Sequence, residues 1–430
     1  MQKLSELRDG KLAGTRFLKL SEGLEEFPRE IFDLSDTLEY LDLSSNLLST
    51  LPEDFGRLSK LKIFFASDNR FSILPKVLGD CPDLDILGFK ANFISEIPAV
   101  SLNINLRWLI LTNNQIPSLP DEIGNCKRLE KLMLAGNALK SLPERMKDCR
   151  SLSLLRISAN QLTELPGWIY ELPQLAWLAF SGNPIFSQPP IRSISLVHAN
   201  SIRLGTVLGE GASGTIYEAY IDSNGSDAVA LKIFKGDLTS DGYPEDEMQT
   251  FIAAGFHPSL VRLLAKVNEG IDGRQAIIME LIPASFYNLG RPPSLKTCTR
   301  DVFDEKLKLT SVQMMSILKS MASVSAHLHA NGISHGDLYA HNILINNKGE
   351  VRFGDFGAAS LYDNRINSFI EKIEVKAYGF LLEDLIGLTG IEGNLLRELL
   401  KLKGQCLSSD IQNRPVFKKI VEKLNNLKIY

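Results

Sequence analysis

Residues 208–221 read LGEGASGTIYEAYI and set Gly209, Gly211 and Gly214 in a Gly-x-Gly-x-x-Gly spacing. Glycines so placed let a backbone approach phosphate oxygens, because no Cβ stands between them. A dinucleotide-binding turn uses the same spelling, so the spacing alone names no ligand. The following residues narrow the choice. A dinucleotide turn runs into a helix, whereas TIYEAYI carries β-formers, and the polar DSNGSD leads to a second strand-like run, AVALKIF at 228–234. Lys232 is then expected to project from a strand beside the glycine turn.

More polar residues follow in order. His257-Pro258 precede the strand-like SLVRLLAKV, and ten residues upstream Glu247 falls in an expected helix. Glu247 is the expected partner of Lys232, with Glu245 the alternative while the helix register stays open. An apolar run ends in Met279-Glu280-Leu281-Ile282. SHGDLYAHNIL at 334–344 supplies His335, Asp337 and Asn342, and RFGDFGAAS at 352–360 supplies Asp355-Phe356-Gly357.

With these parts in this order, residues 200–430 resemble the protein kinase family. The resemblance implies a two-lobed α+β domain that uses ATP and Mg²⁺. Leu208, Gly209, Glu210, Gly211, Gly214, Ile216 and Ala230 would border the nucleotide, and Lys232, paired with Glu247, would hold its phosphates. Met279, Glu280, Leu281 and Ile282 would meet the adenine at a hinge. Asp337 would take the proton of, or orient, the attacking hydroxyl. Asn342 and Asp355 would hold Mg²⁺ through hard oxygen atoms. EVKAYGFLLEDL at 374–385 is similar to the family's buried central helix, with Glu374 where Asp is usual. CLSSDIQNRPVFKKIVEKL at 406–424 is similar to its closing region, with Arg414-Pro415.

The chain departs from the family pattern in four places. The catalytic loop reads His-Gly-Asp, with Gly336 where an Arg ordinarily serves a phosphorylated activation loop. Tyr339 stands two after Asp337, where Ser/Thr-directed members carry Lys; tyrosine-directed members carry an Arg at or near His341, which fills that place only in part and only when protonated. The stretch between Asp355 and Glu374 holds 18 residues and no Ala-Pro-Glu. Arg414 thus lacks its usual partner, for which Glu371 is a substitute. The expectation is a protein kinase, Ser/Thr-directed by family base rate. Two alternatives stay open: a small-molecule kinase of the aminoglycoside or choline type, which also uses His-Gly-Asp with Asn five later, and a nucleotide-binding scaffold without turnover.

The first half is a repeat. Asn recurs at 46, 69, 92, 114, 137, 160 and 183 in a frame Leu-x-x-Leu-x-Leu-x-x-Asn, as in LEYLDLSSN and LEKLMLAGN. Leu-Pro or Ile-Pro follows the first six. RFLKLSEG at 16–23 fits the frame as a worn cap. These residues resemble the leucine-rich repeat family over about 16–190, which implies an α/β solenoid, a horseshoe of stacked strand-and-return units. The expected domains are repeats at 1–190, a linker at 191–201 and a kinase domain at 202–430. The repeated Asn reads as structural, and Cys81, Cys126 and Cys149, each three before a repeat's first Leu, read as core.

Frame positions 3 and 5 alternate with buried leucines and should face outward. They include Tyr40, Ile63, Phe65, Ile86, Trp108, Ile110, Met133 and Trp177. Such an apolar stripe with aromatic anchors reads as a protein-binding surface on the concave face. Packing of part of it on the chain's own second half is the alternative. Because the activation stretch is short, the stripe is also the expected substrate-recognition surface.

Composition bounds the rest. The 430 residues carry a formal charge of −4 and are 44% hydrophobic, an ordinary globular composition. Residues 1–200 hold 22 basic and 24 acidic side chains, leaving 25 and 27 for 201–430. Neither half is a basic platform, which argues against nucleic acid as a partner. No run reaches the ~18 apolar residues of a membrane span. The first residues lack a secretory signal, and five cysteines suit reduced thiols, so the expected compartment is cytoplasmic.

Overall fold

The computed structural model describes residues 2–185, 194–211, 213–221, 228–236, 238–239 and 241–427. It divides into two compact units, one of residues 1–175 and 183–185, the other of residues 176–182 and 186–430. Among the described residues no helix is long and apolar enough to cross a membrane.

The first unit is built on three-residue parallel strands, among them Tyr40–Asp42, Ile63–Phe65, Ile86–Gly88 and Trp108–Ile110. Their register is one repeat per strand: Tyr40 faces Ile63, Ile63 faces Ile86 and Ile86 faces Trp108. Each strand returns through a 3₁₀ turn. Pro75, Pro98, Pro120, Pro143 and Pro166 stand directly before five of these turns, where a fixed φ suits the entry and a missing N–H costs nothing.

The Asn ladder supplies the hydrogen bonds that strands this short lack. Asn92 Oδ1 accepts from Phe71 N at 3.1 Å while its Nδ2 donates to Ala66 O at 3.0 Å. Asn69 and Asn160 repeat the pattern. In seven repeats the residue just before this Asn has positive φ: Ser45, Asp68, Ala91, Asn113, Gly136, Ala159 and Gly182. The left-handed residue turns the chain so that the amide points into the stack.

The outward stripe is only partly outward. Tyr40 is half-buried, stacked on Phe17 at 4.3 Å and edge-on to Phe65 at 5.8 Å. Lys131 lies 4.1 Å above the half-buried Trp108 ring. Ile63, Ile110 and Met133 are half-buried. Ile86 corrects the expectation: it is 0% exposed, in register between Ile63 and Trp108 on the neighbouring strands. Trp177 corrects it too. It groups with the second unit and is 2% exposed, its ring stacked on Tyr339 and Phe380.

The second unit opens with a six-stranded sheet. Its spatial order is Ile202–Glu210, Gly214–Ile221, Ala228–Phe234, Ala276–Glu280, Leu263–Asn268 and Leu196–His198. The last strand lies inside the stretch expected as a linker, and it pairs in parallel with Leu263–Asn268. Residues 191–193 of that stretch, and the DSNGSD turn at 222–227, lie outside the described residues. Helix Pro244–Ala254 follows the third strand.

Four further α-helices follow among the described residues: Ser311–Ala330, Phe369–Gly387, Gly393–Cys406 and Phe417–Asn426. Thr310 and Gln313 form a reciprocal cap at the first of them. Tyr378 in the second is fully buried and donates to Leu318 O at 3.0 Å, which ties it to the first. All five cysteines are buried thiols, and burial pushes those of Cys81, Cys149 and Cys406 up to about 12.

Candidate active site

Strand alternation decides what Lys232 can reach. Leu231 and Ile233 point into the apolar core beside Ala219 and Ile278, so Ala230 and Lys232 share the opposite face. Lys232 is 6% exposed, and its Nζ is bonded to Glu247 Oε1 of helix Pro244–Ala254. The same Nζ lies 3.8 Å from Asp355 Oδ1. Glu245 points elsewhere, its carboxylate 3.5 Å from Lys266 Nζ. Burial works against the charged Lys232, but Glu247 and Asp355 outweigh it and hold its pKa above the ordinary value. Burial pushes Glu247 up to about 6, with Lys232 pulling against it, so the pair is ionised at neutral pH. Glu247 Oε2 is buried with no hydrogen-bond partner among the described residues.

The glycines of the turn play different parts. A Cβ at Gly214 would lie 2.6 Å from Ile233 O, so Gly214 permits close strand packing. At Gly209 a Cβ would meet nothing, and at Gly211 only Gly214 O at 4.0 Å, so these two border open space. Leu208 and Glu210 are exposed or nearly so, and Ile216 is half-buried opposite Lys232 in the register. Ala230 faces Met279 across the next strand pair, with Glu280 opposite Val229. Leu281 and Ile282 continue half-buried beyond that strand.

Asp355 sits at φ +57, in the left-handed region, a conformation a surrounding structure must impose. Its neighbour Phe356 supplies the anchor: fully buried, it stacks on Phe251 of helix Pro244–Ala254 at 4.4 Å. The helix that carries Glu247 thus also fixes the Asp355 turn.

Asp337 is held by Asn342, whose Nδ2 donates to the Asp337 carboxylate at 2.7 Å and to its carbonyl at 3.0 Å. The loop before Asp337 is suspended from Glu374. That carboxylate accepts from His335 N at 3.2 Å and Gly336 N at 2.9 Å, and its Oε2 lies 2.6 Å from His329 Nε2. His329 Nδ1 meets the Tyr362 hydroxyl at 2.8 Å. Burial pushes the Glu374 carboxyl up, but His329, His335 and these backbone donors outweigh it and hold it below the ordinary value. His335 meets Gly354 O at 3.0 Å, and burial lowers its pKa, so the ring is neutral. Arg414 donates to Ser408 O and Lys372 O, while Glu371 accepts from Phe417 N at 2.6 Å.

Spacing could not reveal Asp301. It accepts from Ala340 N at 2.5 Å and lies 2.6 Å from His341 Nδ1, although it stands 39 residues before Ala340 in the chain. Burial disfavours the His341 imidazolium, but Asp301, Asp337 and Asp355 together raise its pKa.

The donor set suits a magnesium nucleotide. Asn342 and Asp355 offer hard oxygen atoms, a cation stands at Lys232, and the turn at Gly209 and Gly211 is unobstructed. Among the described residues no group of three or more His, Cys, Asp or Glu could hold a metal alone. Mg²⁺ characteristically takes one or two protein ligands plus phosphate oxygens and water.

Comparison with known proteins agrees with this geometry. The protein kinase domain family matches residues 202–378. Leucine-rich repeat families match residues 37–58, 104–162 and 127–185. The Drosophila melanogaster serine/threonine-protein kinase PITSLRE is 28% identical over 162 residues, 37% of this chain and 16% of that protein. Cyclin-dependent kinase 12 of Caenorhabditis elegans is 26% identical over 168 residues, 39% and 22% of the two chains. Fibroblast growth factor receptor 1 of Pleurodeles waltl is 25% identical over 282 residues, 52% and 34%. The chain spans less than a quarter of the length of the first two. With the Lys232–Glu247 pair, the Asp355 turn and the Asp337–Asn342 loop assembled in one unit, residues 202–378 belong to the protein kinase domain family, preceded in the same chain by leucine-rich repeats.

Proposed function

We propose that this chain is an ATP-dependent protein kinase, directed to serine or threonine, whose repeats recognise a protein partner or substrate. The observation that carries the reading is the Lys232 ammonium in contact with both Glu247 and Asp355. A buried cation fixed between a helix and a metal-type carboxylate has the construction needed to place nucleotide phosphates.

In this reading Lys232 holds the α- and β-phosphates below the Gly209–Gly211 turn. The adenine lies between Ala230 and the Met279–Ile282 hinge. Mg²⁺, held by Asn342 and Asp355, supplies neutralisation of phosphate charge. Because Asn342 Nδ2 donates twice to Asp337, its amide oxygen is the atom left to face the cation. Asp337 orients the acceptor hydroxyl and takes its proton as the oxygen bonds to the γ-phosphorus. The bond from that phosphorus to the bridging oxygen breaks, and ADP leaves. The Ser/Thr direction is supported by the likeness to the Drosophila serine/threonine-protein kinase PITSLRE. A cytoplasmic setting is supported by the five cysteines being buried thiols. The recognition surface is the half-buried stripe of Tyr40, Ile63, Phe65, Trp108, Ile110 and Met133.

The test is transfer of labelled γ-phosphate to a bait protein. Wild type should label it and Asp337→Asn should fall by about 10³-fold or more. Transfer at the wild-type rate in that variant removes Asp337 from its role. A small-molecule acceptor is the second reading, favoured by Tyr339 in place of Lys and by the short stretch after Asp355. It predicts label on free hydroxyl compounds and none on protein.

A further inference from the structure

We infer that residues 176–182 are a positioning element for the Asp337 loop, with Trp177 its principal positioning residue. The inference rests on the kinase reading for its kinetic arm only. Three backbone or side-chain contacts, from Trp177, Leu178 and Phe180, reach the loop and the segment beside it, all inside the second unit.

Trp177 Nε1 donates to Leu338 O at 3.1 Å, one residue after Asp337. Its ring lies parallel to Tyr339, with centroids 4.4 Å apart and planes 5° apart. It also stacks on Phe380 of helix Phe369–Gly387 at 5.4 Å. This is the same helix that presents Glu374 to the amides of His335 and Gly336. Trp177 therefore ties the residues after Asp337 to the element that already holds those before it.

Leu178 acts through its backbone. Gly336 has φ +69, and a Cβ there would lie 2.8 Å from Leu178 O and 2.6 Å from Ala358 O. The space beside Gly336 is thus filled by two carbonyls, and only glycine fits. Phe180 N donates to Ser360 Oγ at 3.0 Å. Ser360 begins the strand Ser360–Leu361, which pairs with Ile333–Ser334 just ahead of the loop. Asp337 is consequently bracketed: Gly336 meets Leu178, Leu338 and Tyr339 meet Trp177, and Ser360 meets Phe180. A carboxylate that must align a hydroxyl gains rate from such fixing, because misplacement by an ångström is costly.

The test uses the full chain. Hydrogen exchange of residues 334–345 is measured in wild type, Trp177→Ala, Trp177→Phe and Gly336→Ala, with kcat and KM for ATP. In Trp177→Ala and Gly336→Ala, exchange at 334–345 should rise at least about tenfold while strands 228–234 and 276–280 hold theirs. The kcat of both should fall about tenfold with KM for ATP within about twofold of wild type. Trp177→Phe keeps the ring stack and should recover most of both. Wild-type protection at 334–345 in both strong variants overturns the inference, as does equal acceleration across the C-terminal helices, which marks global stability alone. Should Trp177→Ala not fold, Gly336→Ala against Trp177→Phe decides by the same criteria. Absence of phosphotransfer in wild type sinks the kinase reading and leaves the exchange comparison to decide this one.

Discussion

Asn342 donates from one amide to both the carboxylate and the carbonyl of Asp337, at 2.7 and 3.0 Å. The five-residue spacing between them closes a small ring, so the carboxylate direction is set by its own loop. Asn342→Ala removes that restraint together with a proposed cation ligand. We expect phosphotransfer to fall by about 10²–10³-fold, with a rise in the Mg²⁺ concentration needed for half-maximal rate. An unchanged Mg²⁺ requirement would leave Asn342 as a loop restraint alone.

Lys232 and Glu247 are both buried, so neither tolerates loss of the other. Lys232→Met leaves the Glu247 carboxylate without its cation, and Glu247→Gln leaves the ammonium without its principal anion. Breaking a buried pair from one side costs about 3–5 kcal/mol. The double variant Lys232→Met/Glu247→Leu should recover much of that stability, read by denaturant unfolding, while phosphotransfer stays lost. Recovery of transfer in the double variant would separate Lys232 from the chemistry.

Glu247 also sets a pH dependence. Burial raises its carboxyl from 4.5 to about 6. A raised folded pKa means the fold favours the protonated form, so this group's stability contribution is full below 4.5 and lost as pH rises through about 6. Acidification therefore does not unfold the chain through Glu247; it releases Lys232 from its anchor. Phosphotransfer should decline with an acid limb near pH 6 while the protein stays folded. In Glu247→Gln the limb should disappear from a low, flat profile, measured as kcat/KM against pH.

Glu374 gathers the His335 amide, the Gly336 amide and His329. Glu374→Gln turns one accepting oxygen into a donor facing donors, and should cost about 1–3 kcal/mol for the group left unpaired. The Glu374 carboxyl is held below its ordinary value, so its contribution is present above about pH 4.5. That contribution is lost as pH falls through the depressed value. Acid unfolding of the Gln variant should consequently be shallower than that of wild type. A parallel pH dependence in the two would show that Glu374 is not the linked group.

In the repeats, Asn92→Ala removes the acceptor for Phe71 N and the donor to Ala66 O, both buried. The loss should be about 1–3 kcal/mol, seen in unfolding of the first unit. Asn92→Asp should cost as much or more, because a carboxylate cannot donate to Ala66 O.

The chain's own pattern of residues determined the local parts: a short strand and a return segment in each repeat, and Lys232 and Asp337 on separate elements. These follow from side-chain period and backbone freedom, which act over a few residues and are written in order along the chain. Tertiary structure decided whatever joins distant residues. It chose Glu247 over Glu245 because helix Pro244–Ala254 has one register against Lys232. It placed Asp301 under Ala340 and His341 across 39 residues. It took Trp177 and Ile86 out of the apolar stripe, because alternation says which way a side chain points and says nothing of what lies above it.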